Sequence, residues 1–292
     1  MTANSLPQDF AVPRQRSRLF DTVRRHPTIV LGMLIMLLLA AVAIFAPYLG
    51  TSDPMKLNPV FRLRPPSERW WFGTDHLGRD LYSRVLYGSR ISLQVGLAVA
   101  VVASVIGTAI GLLAGFVRWI DAVVMRIMDG LMAVPGILLA IALMALTKAS
   151  VQTVIIAIVV PEVPRIVRLV RSVVLSLREQ PFVEAAEATG TRFHRILIRH
   201  ILPSAVAPLI VQATYVCASA MILEAILSFL GAGTPSSIPS WGNIMAEGRQ
   251  FVTVAFWILG FPGLFLTLTV LAVNLLGDGL RDMFDPRMRR RL

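Results

Sequence analysis

Few side chains in this 292-residue chain are spaced to do chemistry. The densest group is Asp75, His76, Arg79, Asp80 and Arg84. Asp75, His76 and Asp80 could offer oxygen and nitrogen ligands to a cation. Arg79 and Arg84 are interleaved with them and compensate the carboxylates, so the pattern favours a local ion-pair network that shapes a cap, with no metal held. A second set is scattered through apolar runs: Asp129, the lone Glu224, and Asn274. Arg126 and Asp129 are three apart, which permits a pair on a helix. An unpaired charge deep in a bilayer costs about 2.5–3.5 kcal/mol, so these residues must lie near an end, or face protein or a water-filled path. Asp129, Glu224 and Asn274 are therefore candidate pathway or inter-subunit residues, and none of them forms a catalytic set.

Other chemistries are excluded by what the chain lacks. The only lysines are Lys56 and Lys148, and neither follows a glycine. No phosphate-cradling Gly-x-x-x-x-Gly-Lys-Ser/Thr loop exists, so the chain is not a conventional P-loop ATPase. Cys217 is the single cysteine, which rules out an intrachain disulfide and a cysteine-based zinc site. No paired His or Cys suggests a membrane metalloprotease. The formal charge of +11 comes mostly from arginines placed between apolar runs, which reads as membrane topology and not as a nucleic-acid stripe.

These residues must be positioned by membrane helices, since 55% of the chain is hydrophobic and only 15% is charged. A polar, basic tail covers 1–27. An uncharged run over 28–50 is long enough to span; Ala41-Val42-Ala43 resembles a signal-peptidase site, but the run is too long for a signal peptide, so a retained first span is expected. A polar loop covers 51–90. The second span is expected over 91–117, with Ala103, Gly107, Gly111 and Gly115 at four-residue spacing as a packing seam. A tight turn is expected at 118–121, and a third span over 122–147, kinked at Pro135. A fourth, short run over 149–161 is expected to continue past Pro161 and Pro164 as an amphipathic helix carrying Arg165, Arg168 and Arg171 on one face. A fifth span is expected over 204–230. An outside loop follows over 233–248, and a sixth span over 251–276 with an irregularity at Pro262-Gly263.

Within this apolar chain, 181–203 is a polar island. Pro181 suits the first position of a helix, and Gly190 can take the left-handed conformation that closes one. Thr191 can cap a second helix, in which Phe193, Ile196, Leu197 and Ile201 recur at helical spacing before Pro203 stops it. The expected product is a compact amphipathic knuckle.

Glu184-Ala185-Ala186, Gly190 and Leu202-Pro203 resemble the EAA loop of membrane subunits of bacterial ABC importers. In that family this cytoplasmic loop docks into a groove on an ATPase subunit, and the resemblance carries that role to these six residues. The series Phe72-Gly73-Thr74-Asp75, Gly78-Arg79-Asp80, Ser83-Arg84, Gly88 and Arg90, with Leu227 to Gly231, Trp241-Gly242-Asn243 and Asn274 to Asp282, resembles the dipeptide and oligopeptide permease branch. Pro161-Glu162-Val163-Pro164-Arg165 departs from the aromatic and Ala-Arg pair common there. The resemblance implies an all-α polytopic fold of the type I ABC importer kind, with six transmembrane helices and both ends in the cytoplasm. It divides the chain into a cytoplasmic tail (1–27), a first transmembrane helix with a periplasmic loop (28–90), the permease domain (91–280, EAA loop 181–203) and a basic cytoplasmic tail (281–292).

The implied protein is a multi-pass component of a bacterial inner membrane. It is a non-catalytic permease subunit of an ATP-driven, binding-protein-dependent importer of di- or oligopeptides; nickel or glutathione is the alternative cargo. Implied partners are a second, homologous permease forming a heterodimer, two ATPase subunits, an external substrate-binding protein and membrane lipid. ATP and magnesium would sit on the ATPases, with no cofactor on this chain and no nucleic acid. A stand-alone ion-coupled transporter is a distant alternative, because Asp129 and Glu224 are too few for ion sites and no internal repeat exists. With the amino end inside, the proposed cytoplasmic segments hold most of the basic residues, as the positive-inside rule expects.

Overall fold

A computed structural model describes residues 27–284. The expected tail 1–27, save Pro27, and the arginine cluster of the carboxyl tail lie outside the described residues. Those described are all-helical, with no strand beyond an isolated bridge between Thr74 and Asp80.

The principal helices are α1 (Pro27–Phe45), α2 (Leu81–Phe116), α3 (Arg118–Ala133), α4 (Gly136–Ala145), α5 (Val151–Arg178), α6 (Pro181–Ala188), α7 (Leu202–Phe229), α8 (Trp241–Gly248) and α9 (Trp257–Phe284). Four stretches are long and apolar enough to cross a membrane: Pro27–Tyr48, Leu81–Phe116, Phe193–Phe229 and Trp257–Phe284. Counting the bent pair α3 and α4 as one crossing makes five. The expected fourth span, α5, which would bring the count to six, is a continuous 28-residue helix through Pro161 and Pro164. Glu162, Arg165, Arg168 and Arg171 in its middle keep it below the apolarity of the others.

Several boundaries differ from expectation. α2 starts at Leu81, ten residues early, because the Asp80 side chain caps it by accepting from the Ser83 amide at 2.9 Å. The expected turn at 118–121 shrinks to the single extended residue Val117, and α3 begins at Arg118. The kink at Pro135 is a break: α3 and α4 meet at 89°. The last helix starts at Trp257, six residues late, since 249–251 form a separate short turn, and it runs without interruption to Phe284. Pro262 sits in its second turn, where only one helical hydrogen bond is lost.

The glycine seam fixes how the long helices run. A Cβ on Gly107 would come within 2.5 Å of Ile166, on Gly111 within 2.8 Å of Val170 and on Gly115 within 2.6 Å of Val174. Both series climb together, so α2 and α5 pack in parallel and in register, their backbones brought close by absent side chains. Gly96 meets Met221 and Cys217 of α7, and Ser92 meets Glu224, so α7 is antiparallel to α2. Gly32 lies against Ala272 and Leu276, and Gly279 against Ile29, so α1 and α9 are antiparallel. One end of the bundle thus gathers segments 46–80 and 230–256. The other gathers Val117, the 179–201 knuckle and both ends of the described chain. α3 and α4 together return the chain between α2 and α5.

Candidate functional site

The knuckle forms largely as its residues dictate. Pro181 is the first residue of α6. Gly190 adopts φ +74°, the left-handed region that L side chains resist. Around it the Gly190 amide donates to Glu187 O (2.9 Å) and the Thr191 amide to Ala186 O (3.0 Å), the paired bonds of a Schellman close. Thr191 does not cap the next helix. The next helix begins at Phe193, so Arg192 occupies the cap position, without a side-chain bond, and the chain passes through one short turn into a π-helical stretch at Ile196–Ile201. Val183, Ile196, Leu197 and Ile201 are buried and pin the knuckle to the main core. Outward it presents Glu184, Ala185, Gly190 and Pro203, with Phe182 46% exposed; Ala186 and Leu202 are half-buried. Of the six candidate docking residues, Glu184, Ala185, Ala186 and Gly190 lie on α6 and its close, whereas Leu202 and Pro203 begin α7, so Pro203 does not end the helical run as expected; four of the six are open to contact.

The arginines of α5 face carboxylates. Arg171 forms a two-point pair with Asp121, and Arg168 Nη2 lies 2.6 Å from Asp129. The expected Arg126–Asp129 pair does not form, because α3 turns Asp129 towards α5. Arg165 Nη1 donates to both oxygens of Glu162 at 3.1 Å, and Ser219 of α7 donates to Glu162 at 3.1 Å. Glu224 is fully buried; Ser228 Oγ donates to it at 2.8 Å and Ser92 Oγ lies at 3.4 Å. Ser92 also accepts from the Trp241 amide, and Asn243 donates to the carbonyls of Thr234, Pro235 and Ile238. Glu224 is thus tied by hydroxyls to the segment that closes this end of the bundle. Asn274 is half-buried on α9. No hydrogen bond joins Asp129, Glu224 and Asn274, so the three expected polar residues do not assemble into one site.

The cap is more tightly built than its sequence suggests. Asp75 Oδ2 accepts from Arg79 Nε and Arg84 Nη1, each at 2.6 Å, and both arginines also bind Glu247 of α8. Asp80 belongs to the helix cap and not to this network. Gly78 at φ +73° passes so close to Asn58 that a Cβ would sit 1.8 Å from its carbonyl oxygen. Trp241 is buried and donates to Val85 O at 3.1 Å, while Phe72 stacks on Phe261 at 4.0 Å. Burial opposes ionisation of Asp75, but Arg84 and Arg79 outweigh it and hold its carboxyl below the usual range. Burial lowers the His76 pKa against the pull of Asp75 and Glu247. Among the described residues, Asp75, His76 and Glu247 bring ligand atoms within 4.8 Å of one another. Both carboxylates are already engaged by guanidinium groups, so the donor set is that of an ion-pair cluster.

Sequence reasoning missed two residues. Glu247 meets Arg79 across 168 positions, and no local signal marks it. Glu162 had one: its i, i+3 spacing from Arg165.

A family model described as "Binding-protein-dependent transport system inner membrane component" matches residues 107–290, and one described as "N-terminal TM domain of oligopeptide transport permease C" matches 17–66. A probable peptide ABC transporter permease protein of Sinorhizobium fredii is 56% identical over 268 residues, covering 92% of each chain. The dipeptide transport system permease protein DppC of Alkalihalophilus pseudofirmus is 45% identical, covering 92% of this chain and 89% of that one. The oligopeptide transport system permease protein OppC of Bacillus subtilis is 38% identical, covering 91% and 88%. A solved chain from inward-facing conformations of the MetNI methionine ABC transporter superposes with TM-score 0.50 at 22% identity, covering 66% of this chain and 94% of its own.

Proposed function

The chain belongs to the family of binding-protein-dependent transport system inner membrane components, and from that membership we propose that it is the permease subunit of an ATP-driven importer of di- or oligopeptides. The relatives named as peptide permeases support that cargo over nickel or glutathione. A second, homologous permease completes the path, two ATPases bind ATP and magnesium at the knuckle end, and an external binding protein delivers cargo at the cap. This chain carries no catalytic group of its own.

The observation that carries the reading is the knuckle. Glu184, Ala185 and Gly190 are exposed on a short helix whose inner face is buried and which follows α5 after two residues. Small exposed residues let a partner surface approach, and Glu184 offers a charge for pairing. In this reading α5 is the sixth crossing, because it runs parallel to α2 and the chain must return between them. Both ends of the described residues, the knuckle and Val117 then share the cytoplasmic side, which suits Arg118, Arg126 and the arginines of 192–199. Docking at Glu184, Ala185, Ala186, Gly190, Leu202 and Pro203 couples ATP binding to a switch between two states of the path.

The test is co-purification and uptake. Glu184→Arg should insert and reach wild-type levels but lose labelled-peptide uptake and cargo-stimulated ATP hydrolysis. Normal uptake by that variant sinks the docking role. Uptake of nickel or glutathione in place of peptide sinks the cargo assignment alone.

A further inference from the structure

Where the break at Pro135 faces α5 and α7, the described residues line a half-open cavity of about 300 Å³, with Met132 and Val134 exposed at its mouth. That is the lower end of the range for small-molecule sites. Its walls are apolar, with three polar exceptions: Glu162, Arg165 and Ser219. Glu162 lies about 16 Å along α5 and Ser219 about 15 Å from the matching end of α7, at 1.5 Å per residue. Both groups therefore lie well along the length of the helices, away from the cap end, although the cavity itself opens to one side. Ionisable groups at such depth mark a solute path by default.

The pair beside this cavity differs from the other ion pairs of the chain. The cap cluster is closed: Asp75, Arg79 and Arg84 are all buried and Glu247 completes them. The Glu162–Arg165 pair is open on one side. The carboxylate side chain is 4% exposed and the guanidinium side chain 52%. Glu162 accepts one bond from Arg165 on each oxygen and one from Ser219, which leaves Oε2 with acceptor capacity to spare. Arg165 uses only Nη1, so Nη2 and Nε remain to grip a carboxylate at two points.

We propose that this cavity is a transit site for a zwitterion, with Glu162 receiving the free amino group of a peptide and Arg165 its free carboxylate. The inference rests on the peptide-importer reading and names the groups of the cargo that the membrane path recognises. When the guest enters, its ammonium replaces the Arg165 guanidinium on Glu162, and its carboxylate takes the released guanidinium. The buried Glu162 carboxylate is never left without a cation, and losing that partner is what makes a buried charge costly. Ser219 stays on the Glu162 carboxylate and keeps it oriented.

The experiment uses the whole transporter, with its second permease and ATPases, in nanodiscs without the binding protein. The probes are radiolabelled trialanine, its N-acetyl derivative and its carboxamide, bound at equilibrium. Trialanine should bind at least about tenfold more tightly than either blocked form. Glu162→Gln should remove the penalty for N-acetylation and spare that for amidation. Arg165→Gln should do the reverse, and Arg165→Lys should keep part of the amide penalty. Equal binding of all three peptides to the wild type, no saturable binding, or variants that keep both penalties would each overturn the site. The wild-type comparison needs no variant to fold. Proteoliposome uptake of trialanine with the binding protein present separates the two claims: uptake without end-group discrimination ends the site and leaves the importer standing, whereas no uptake of any peptide ends the importer reading.

Discussion

Replacing Gly107 with alanine should loosen α2 from α5 by an amount the geometry sets. The new Cβ would lie 2.5 Å from Ile166 Cβ and 2.6 Å from its Cγ2, and both clashing atoms are stiffly attached to the helix. Relaxed carbon contacts need roughly 3.5–4.0 Å, so the axes must part by about 1 Å or one helix must rotate. Gly111 and Gly115 lie in the same seam, so separation also strips contacts from Val170 and Val174. Overpacking of this kind costs about 1–3 kcal/mol. The assay is the thermal midpoint of the purified transporter beside two references. Gly130→Ala, on the exposed face of α3 with nothing within 4 Å, should hold or raise the midpoint, because alanine favours a helix by up to about 1 kcal/mol. Gly111→Ala, whose new Cβ would lie 2.8 Å from Val170 Cβ in the same seam, should lower the midpoint as well. A Gly107→Ala midpoint equal to that of Gly130→Ala, or a Gly111→Ala midpoint that does not fall, would refute the in-register seam.

Asp75→Asn should be among the most damaging single changes, since it leaves Arg79 and Arg84 buried and short of a counter-charge; removing one partner of a buried pair costs about 3–5 kcal/mol, read as loss of folded yield. Because the Asp75 carboxyl is held below its ordinary range, its contribution is complete above the unfolded value of 3.8 and is lost only as pH falls through the lower folded value, so this pair should not alter stability between pH 5 and 8. His76 behaves differently: its folded pKa is depressed below 6.5, the unfolded chain binds the proton first, and stability should fall as pH drops below about 6.5. A melting series against pH with His76→Gln should show a flatter acid limb; an unchanged limb counts against it. Gly190→Val should keep membrane insertion but abolish uptake and uncouple ATP hydrolysis, since a β-branched residue resists φ +74° and would reopen the Schellman close; normal coupled uptake would contradict that geometry.

Local chemistry in the sequence was enough to read Pro181 and Gly190 as helix start and stop, and the four-residue spacing of Gly107, Gly111 and Gly115 as a seam. It did not name the seam's partner, because Ile166, Val170 and Val174 look like any apolar face. The cap was legible as a cluster of opposite charges, yet its far half, Glu247, comes from a helix joined only through the fold. Glu162 was passed over because two prolines made the path of α5 uncertain, although the helix runs straight through them. Thr191 misled for a local reason: the next helix begins at Phe193, so Arg192 and not Thr191 takes the cap position. The α3–α4 break was signalled by Pro135, but its size depends on packing against Pro161, which Gly136 approaches.

One consequence follows from the way α2 is clamped along its length. At its head, Arg84 is locked to the cap; further along, its glycines mesh with α5, and α5 passes after two residues into α6. With 36 residues, α2 is about 54 Å long. The two ends of the bundle are thus joined along one seam of meshed helices, with Pro161 and Pro164 the weak points of α5. A shift of the knuckle would be passed along that seam towards the opposite rim, and the sharpest break in the chain beside it is the 89° one at Pro135.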